Sequence, residues 1–348
     1  MILLKASHIQ SLRTGSVTAL QQSLQLAIEL EHATIPPYLF ALYSLGTGPG
    51  NATVAKIIQS VVSEEMLHMT LACNVLNAVG GHPLIDDPNF IPKYPGKLPG
   101  SVDSGLTVDL APFSLAVIKE TFMKIEEPED PANFPHPQPA ALMAEATSTI
   151  TIGQFYEAII CKLRELGPKI FTGNPALQVT PPFPEGGIVA NLDTAITALK
   201  LIIDQGEGSS PKSPVVDPPG TELAHYYRFA EIVEGQVLIP DPTVPQGYSY
   251  SGQKIQATSP VAAIKPNPKA ANYAAGTAER HAMDSFNYTY TSVLKGLHQL
   301  FNGQPNTFGR TLGAMMSLRQ QALDMMAGVN LHGPIGPSFE YQPVNPAE

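Results

Sequence analysis

The stretch Ser63-Glu64-Glu65-Met66-Leu67-His68-Met69 lies inside a long apolar-periodic segment, Asn51 to Val79, and narrows what the chain can become. Residues three apart on a helix share a face, so Glu65 and His68 point the same way as Ile58, Val61, Ala72, Val75 and Val79. That face is otherwise apolar. A carboxylate and an imidazole aimed into a core are rarely buried unless paired or bound to a metal. A Glu-x-x-His pair facing into a helix bundle is part of the ligand set by which dimetal carboxylate bundles hold their ions. One copy of so short a motif is common on surface helices, and its weight depends on what the rest of the chain supplies.

Taken in order, the first helix is expected from about Ser16 to Ser44, stopped by Gly46, with an apolar stripe of Leu20, Leu24, Ala27, Ile28, Ile35, Leu39 and Leu42 that includes Glu31. Glu29 and His32 fall off it. Pro36-Pro37 interrupts the pattern, and each proline removes a helical hydrogen bond to the residue four back, so a kink or a widened turn is expected just beyond Glu31. The second helix is the Asn51–Val79 segment, ended by Gly80-Gly81. A crossover of roughly sixty residues follows, too long for a simple hairpin, with one amphipathic piece, Pro112 to Ile125, that reads as a covering helix. The third helix is expected from Ala140 to Leu166, its inward face reading Ile150, Gly153, Glu157, Ile160 and Cys161. Asn191 to Gln205 reads as a further helix, and Thr221 to Gly235 as another that carries a second Glu-x-x-His, Glu222 with His225.

One helix gives a lone carboxylate and the next gives Glu-x-x-His, twice over: Glu31, then Glu65 with His68, then Glu157, then Glu222 with His225. This is the ligand set of a dimetal four-helix bundle. Hard carboxylates with imidazoles suit two iron ions, or manganese, better than zinc. Glu222 has a second explanation, since a first-turn acid is also favoured by the helix dipole alone. Glu207, between two glycines in a tight turn, is its alternative. Tyr38, Tyr156 and Tyr226 either orient carboxylates as hydrogen-bond donors or pack as half-buried aromatics. Tyr38 is best placed, seven residues beyond Glu31 on the same face.

The fold expected is all-α: a four-helix bundle with long Pro-rich crossovers and extra C-terminal helices. Residues 1–235 would form the metal-binding bundle, and 236–348 a Pro-rich connection, a short hairpin around Gly247 to Gly252, and two helices, about Lys269 to Phe301 and Thr307 to Val329. The stripe Leu312, Met315, Met316, Leu323 and Met326 reads as helix-packing surface, which leaves room for a homodimer through these helices. Charged residues make up only 14% of the chain and the net charge is -10. With no basic run, nucleic acid and membrane surfaces are not expected partners. Cys73 and Cys161 form no C-x-x-C pair, and Met1–Lys5 lacks a signal peptide's apolar core, so a cytoplasmic protein is expected.

Several segments carry a family likeness. Glu31-His32-Ala33-Thr34-Ile35-Pro36-Pro37-Tyr38, Glu64-Glu65-Met66-Leu67-His68-Met69 and Ile152-Gly153-Gln154-Phe155-Tyr156-Glu157 resemble the ferritin-like family related to the iminophenylpyruvate dimer synthase of violacein biosynthesis. So do Gln205-Gly206-Glu207-Gly208, Leu223-Ala224-His225-Tyr226-Tyr227-Arg228-Phe229 and Gly336-Pro337-Ser338-Phe339-Glu340-Tyr341. The resemblance implies a ferritin-like bundle, an amino-acid-derived or aromatic small-molecule substrate, and an oxidative or coupling step using dioxygen or peroxide. Metal storage or peroxide handling without an organic substrate is the alternative, and a metal-free scaffold a third.

Overall fold

The core is laid down by two long helices, α2 (Val17–Ser44) and α3 (Ala52–Ala78), which pack along most of their length across a short connection. A short link between neighbouring helices makes them antiparallel. The computed structural model describes residues 3–101, 106–128, 149–180, 187–207, 213–216 and 222–344. Residues 140–148 of the helix expected from Ala140, the side chain of Glu207 and the cap expected at Thr221 lie outside the described residues; where that segment is described, Thr149–Ile150 is extended and Thr151 is a cap, so the helix begins at Ile152 and not before it.

Before α2 come β1 (Leu4–Lys5) and α1 (Ala6–Thr14). The crossover after α3 holds α4 (Leu115–Val117), a π-helical turn at Ile118–Phe122 and α5 (Met123–Ile125). Next are β2 (Thr149–Ile150), paired antiparallel with β1, and α6 (Ile152–Leu166). Thr151 opens α6 with a capping box: its hydroxyl accepts from the Gln154 amide at 3.0 Å, and Gln154 Oε1 accepts from the Thr151 amide at 3.3 Å. α7 (Leu192–Glu207) follows, then β3 (Val215–Val216), β4 (Glu222–Leu223) and α8 (His225–Glu234).

The helices make a closed ring of contacts, α2 on α3, α3 on α7, α7 on α6, and α6 on α2. The fourth wall of the bundle is therefore α7. The sequence pattern gave that role to the segment from Thr221 to Gly235, but α8 starts only at His225, is ten residues long and ends at Gly235 in the left-handed conformation. It packs instead against α3, α7 and the π-helical turn, at one end of the ring.

The chain continues through the hairpin of β5 (Gln236–Pro240) and β6 (Tyr248–Lys254), whose turn at Asp241–Gly247 reaches the expected region at Gly247 and leaves Gly252 within β6. α9 (Ala278–Phe301) and α10 (Phe308–Ala327) then pack on each other, α9 also against α3 and α10 against α2. Gly296 lets α9 and α10 approach: a Cβ there would sit 2.6 Å from Thr311 Oγ1. On α10 the methionines divide, Met325 and Met326 being buried while Leu312 and Met316 face outward.

Pro36-Pro37 does not end α2, which remains helical to Ser44. Proline at 37 leaves the Ala33 carbonyl without its helical donor. The Tyr94 hydroxyl, reaching in from the crossover, donates to that carbonyl at 2.6 Å and replaces the missing bond. Both groups are buried. Tyr94→Phe is expected to leave the carbonyl unsatisfied and cost about 1–3 kcal/mol, read as a lowered midpoint in chemical denaturation.

Candidate metal centre

Five side chains with ligand chemistry converge where α2, α3, α8 and the crossover meet. Glu31 comes from α2, Glu65 and His68 from α3, Glu126 from the residue after α5, and His225 from the first position of α8. They form two overlapping groups, Glu31/Glu65/His68 and Glu65/Glu126/His225, with one oxygen or nitrogen from each residue lying within 4.8 Å of the others in its group. Glu65 belongs to both, and so has the position of a bridging carboxylate.

Local structure explains how each arrives. On α3, three-residue spacing puts Glu65 and His68 on the buried face. His225 is delivered by the β3–β4 ladder, in which Val215 pairs with Leu223, and the Ala224 amide donates to the Pro214 carbonyl at 2.9 Å. This fixes the chain just before the helix starts. Glu126 stands one turn beyond buried Phe122, its amide donating to the Phe122 carbonyl at 3.0 Å. Phe122 packs against Tyr38 and Phe229, with ring centres 4.4 and 5.3 Å away, which anchors the crossover over the bundle.

Both imidazoles present Nδ1 to the cluster. His68 Nδ1 lies 3.3 Å from Glu31 Oε2 and 3.7 Å from Glu65 Oε1. His225 Nδ1 lies 2.9 Å from Glu65 Oε1 and 3.4 Å from Glu126 Oε2. The outer nitrogens are occupied elsewhere: His68 Nε2 bonds Gln205 Oε1 at 2.8 Å and His225 Nε2 bonds Glu64 Oε2 at 3.1 Å. The two rings stack at 5.3 Å. The carboxylates are also held from outside. Tyr156 donates to Glu31 Oε1, Tyr38 donates to Glu126 Oε1, and the Thr34 hydroxyl donates to Glu65 Oε2 at 2.8 Å.

The electrostatics are those of a charge cluster short of cations. Burial, reinforced by the Glu126 and Glu31 carboxylates, raises the Glu65 pKa above the usual range, although His225 pulls the other way. Burial works to lower both histidines, yet their carboxylate neighbours outweigh it: Glu31 and Glu65 raise His68, and Glu126, Glu64 and Glu65 raise His225 well above its ordinary value. Protons are therefore what this cluster retains in the absence of a cation. Burial and the neighbouring carboxylates also keep Tyr38 and Tyr156 protonated, which makes them donors to Glu126 and Glu31.

A pair of divalent ions fits these residues. His225 Nδ1 is fully buried, with Glu65 Oε1 at 2.9 Å and Glu126 Oε2 at 3.4 Å. Each group would offer one unshared carboxylate, one imidazole and a share of the Glu65 carboxylate, a hard donor set suited to iron or manganese. A cavity of about 60 Å³ adjoins the cluster, with Leu30, Leu98, Ile125, Ile152 and Ile202 among its lining.

The other residues expected at the site lie elsewhere. Glu157 is exposed and lines a separate groove with Arg13, Cys161 and Lys162. The inward face of α6 is Gly153, Tyr156, Ile160 and Leu163, about a quarter turn from the one expected, so Tyr156 points in where Glu157 was placed. Glu222 is in β4, not on the helix, so helical three-residue spacing does not link it to His225; its carboxylate lies 3.3 Å from Arg228. Tyr226 packs edge-on against Tyr227 in a small separate apolar cluster. Glu126, Glu64, Gln205 and Arg228 were not anticipated. For Glu126 a signal existed: it falls four residues after Phe122, extending the buried face of the covering segment, the same sign that marks Glu31.

A family model described as Ferritin-like matches residues 24–234, which hold all five converging side chains. A crystal structure of a ferritin-like protein from Caulobacter vibrioides is similar at 25% identity and a TM-score of 0.61, covering 92% of this chain and 97% of that one. No curated protein matches. No helix among the described residues is long and apolar enough to cross a membrane.

Proposed function

The chain belongs to the ferritin-like family, and we propose that it is a dimetal carboxylate oxidoreductase, with two iron ions or manganese in their place, acting on a small amino-acid-derived or aromatic substrate. The observation that carries this reading is the two-lobed donor set sharing Glu65, with both imidazoles presenting Nδ1 inward. The sequence likeness to proteins related to iminophenylpyruvate dimer synthase supplies the substrate class. Bound metals would supply redox chemistry and sites for dioxygen or peroxide that side chains lack.

The protein's own part is positioning. Tyr156, Tyr38 and Thr34 hold one oxygen of each carboxylate outward and leave the other facing the cluster. Gln205 and Glu64 fix the histidine tautomers. Leu98 and Ile125 from the crossover line the adjoining cavity with apolar surface.

That cavity, about 60 Å³, is far smaller than the roughly 300–1,000 Å³ typical of small-molecule pockets. It suits an oxidant the size of dioxygen or peroxide, and this favours a second reading in which the protein handles metal or peroxide without an organic substrate. Under the first reading an aromatic substrate enters only when the crossover shifts. The two separate by experiment: ferrous protein is exposed to oxygen with and without aromatic amino and imino acids. Substrate consumption that tracks enzyme turnover supports the oxidoreductase. Uptake of many iron atoms per chain, with every substrate untouched, replaces it with storage.

A further inference from the structure

We infer that the two ion positions are not equivalent, and that the one at His225 fills first. This rests on the dimetal reading above. Ligand for ligand the positions match: one unshared carboxylate held by a tyrosine, one histidine Nδ1, and Glu65 in common. The difference lies behind the imidazoles.

His225 Nε2 faces a carboxylate, Glu64 Oε2 at 3.1 Å, and Arg228 fixes that carboxylate through two bonds of 2.6 and 2.9 Å. His68 Nε2 faces a neutral amide, Gln205 Oε1 at 2.8 Å. A carboxylate accepting the outer proton makes the imidazole more electron-rich and a stronger donor at its inner nitrogen. Arg228 offsets part of this, but it also lies 3.3 Å from Glu222. The group behind His225 is thus a carboxylate whose arginine is shared with a second carboxylate, whereas the one behind His68 is an uncharged amide. The shared carboxylate leans the same way, with Glu65 Oε1 at 2.9 Å from His225 Nδ1 against 3.7 Å from His68 Nδ1. At limiting metal the chain holds one ion, bound by His225, Glu126 and Glu65.

The test is an anaerobic titration of the metal-free full chain with Co²⁺, followed by calorimetry and visible absorption. Two steps are expected, with dissociation constants about 10–100-fold apart. His68→Ala retains the tight step and loses the weak one. His225→Ala retains only a weak step. Gln205→Glu keeps all five ligands and places a carboxylate behind His68, so it narrows the gap by tightening the weak step even if the alanine variants fold poorly. Two ions binding with equal affinity, a tight step that survives His225→Ala, or a gap unchanged in Gln205→Glu would overturn the order while leaving two ions bound. Failure to bind Co²⁺ at all would overturn the dimetal reading beneath it.

Discussion

Glu65→Ala is expected to abolish binding of both ions, and Glu126→Ala to remove one of the two, measured as metal per chain by plasma mass spectrometry after anaerobic loading with ferrous ion. Glu65 is common to both groups, so its loss takes a donor from each position at once and leaves each with a single carboxylate and a single histidine. Glu126 serves only the His225 group, so the Glu31/Glu65/His68 position keeps its set. From about two ions in the native chain, the counts should fall to near zero and about one. Glu157→Ala is the control: its exposed carboxylate lines another groove, and the count should not change. Two ions remaining in Glu126→Ala would take the crossover out of the site. An ion lost in Glu157→Ala would return α6 to it. Folding of each variant is followed by helical circular dichroism, since Glu126→Ala also strands the Tyr38 hydroxyl at a cost of about 1–3 kcal/mol.

How far the site could be read from sequence follows from which residues ride on regular helices. Glu31, Glu65 and His68 lie inside long periodic segments, where three- and four-residue spacing fixes the face to within a residue. The two long helices of the bundle are legible for the same reason, whereas its fourth wall, α7, carries no ligand-spaced motif to mark it. On α6 the apolar face is ambiguous by one position, because Ile159 and Ile160 are both buried, so periodicity alone does not separate Glu157 from Tyr156. The error at Glu222 is of another kind. Glu222-Leu223-Ala224-His225 repeats the Glu-x-x-His spacing, but the pairing of β4 with β3 holds Glu222 in extended backbone, a non-local contact that no helical period encodes.

His225 converged with the cluster although its expected partner did not. A residue at the start of a helix is aimed by whatever fixes the preceding chain, here the Ala224 to Pro214 bond. Glu126 lies off the bundle helices, one residue beyond the covering segment that the apolar pattern closes at Ile125. Its approach depends on how the crossover folds back, through a π-helical turn at Ile118–Phe122 and the packing of Phe122 on Tyr38. Such turns often mark functional sites, but the sequence of this one carries no proline or glycine to announce it.

Arg228→Met is expected to destabilise the metal-free protein by about 3–5 kcal/mol, the usual cost of breaking a buried ion pair from one side. Arg228 and Glu64 are both buried, and the guanidinium also donates to the Leu223 carbonyl and to Ser60. Burial alone would raise the Glu64 pKa, but His225 and Arg228 outweigh it and bring it down to about 2. A carboxylate with a depressed folded-state pKa contributes stability that is present above its unfolded value and lost as pH falls through the folded one. The gap in unfolding free energy between native protein and Arg228→Met should therefore be full above about pH 4.5 and shrink toward pH 2. Adding Glu64→Leu to Arg228→Met removes the stranded charge, and stability should recover most of what was lost. Metal affinity should not recover with it, because His225 Nε2 then has no acceptor to hold its tautomer. If the double variant regains both, Glu64 and Arg228 serve the fold alone. If it regains stability while binding at the His225 position stays weakened, the buried pair is held in the core for what it does to the imidazole.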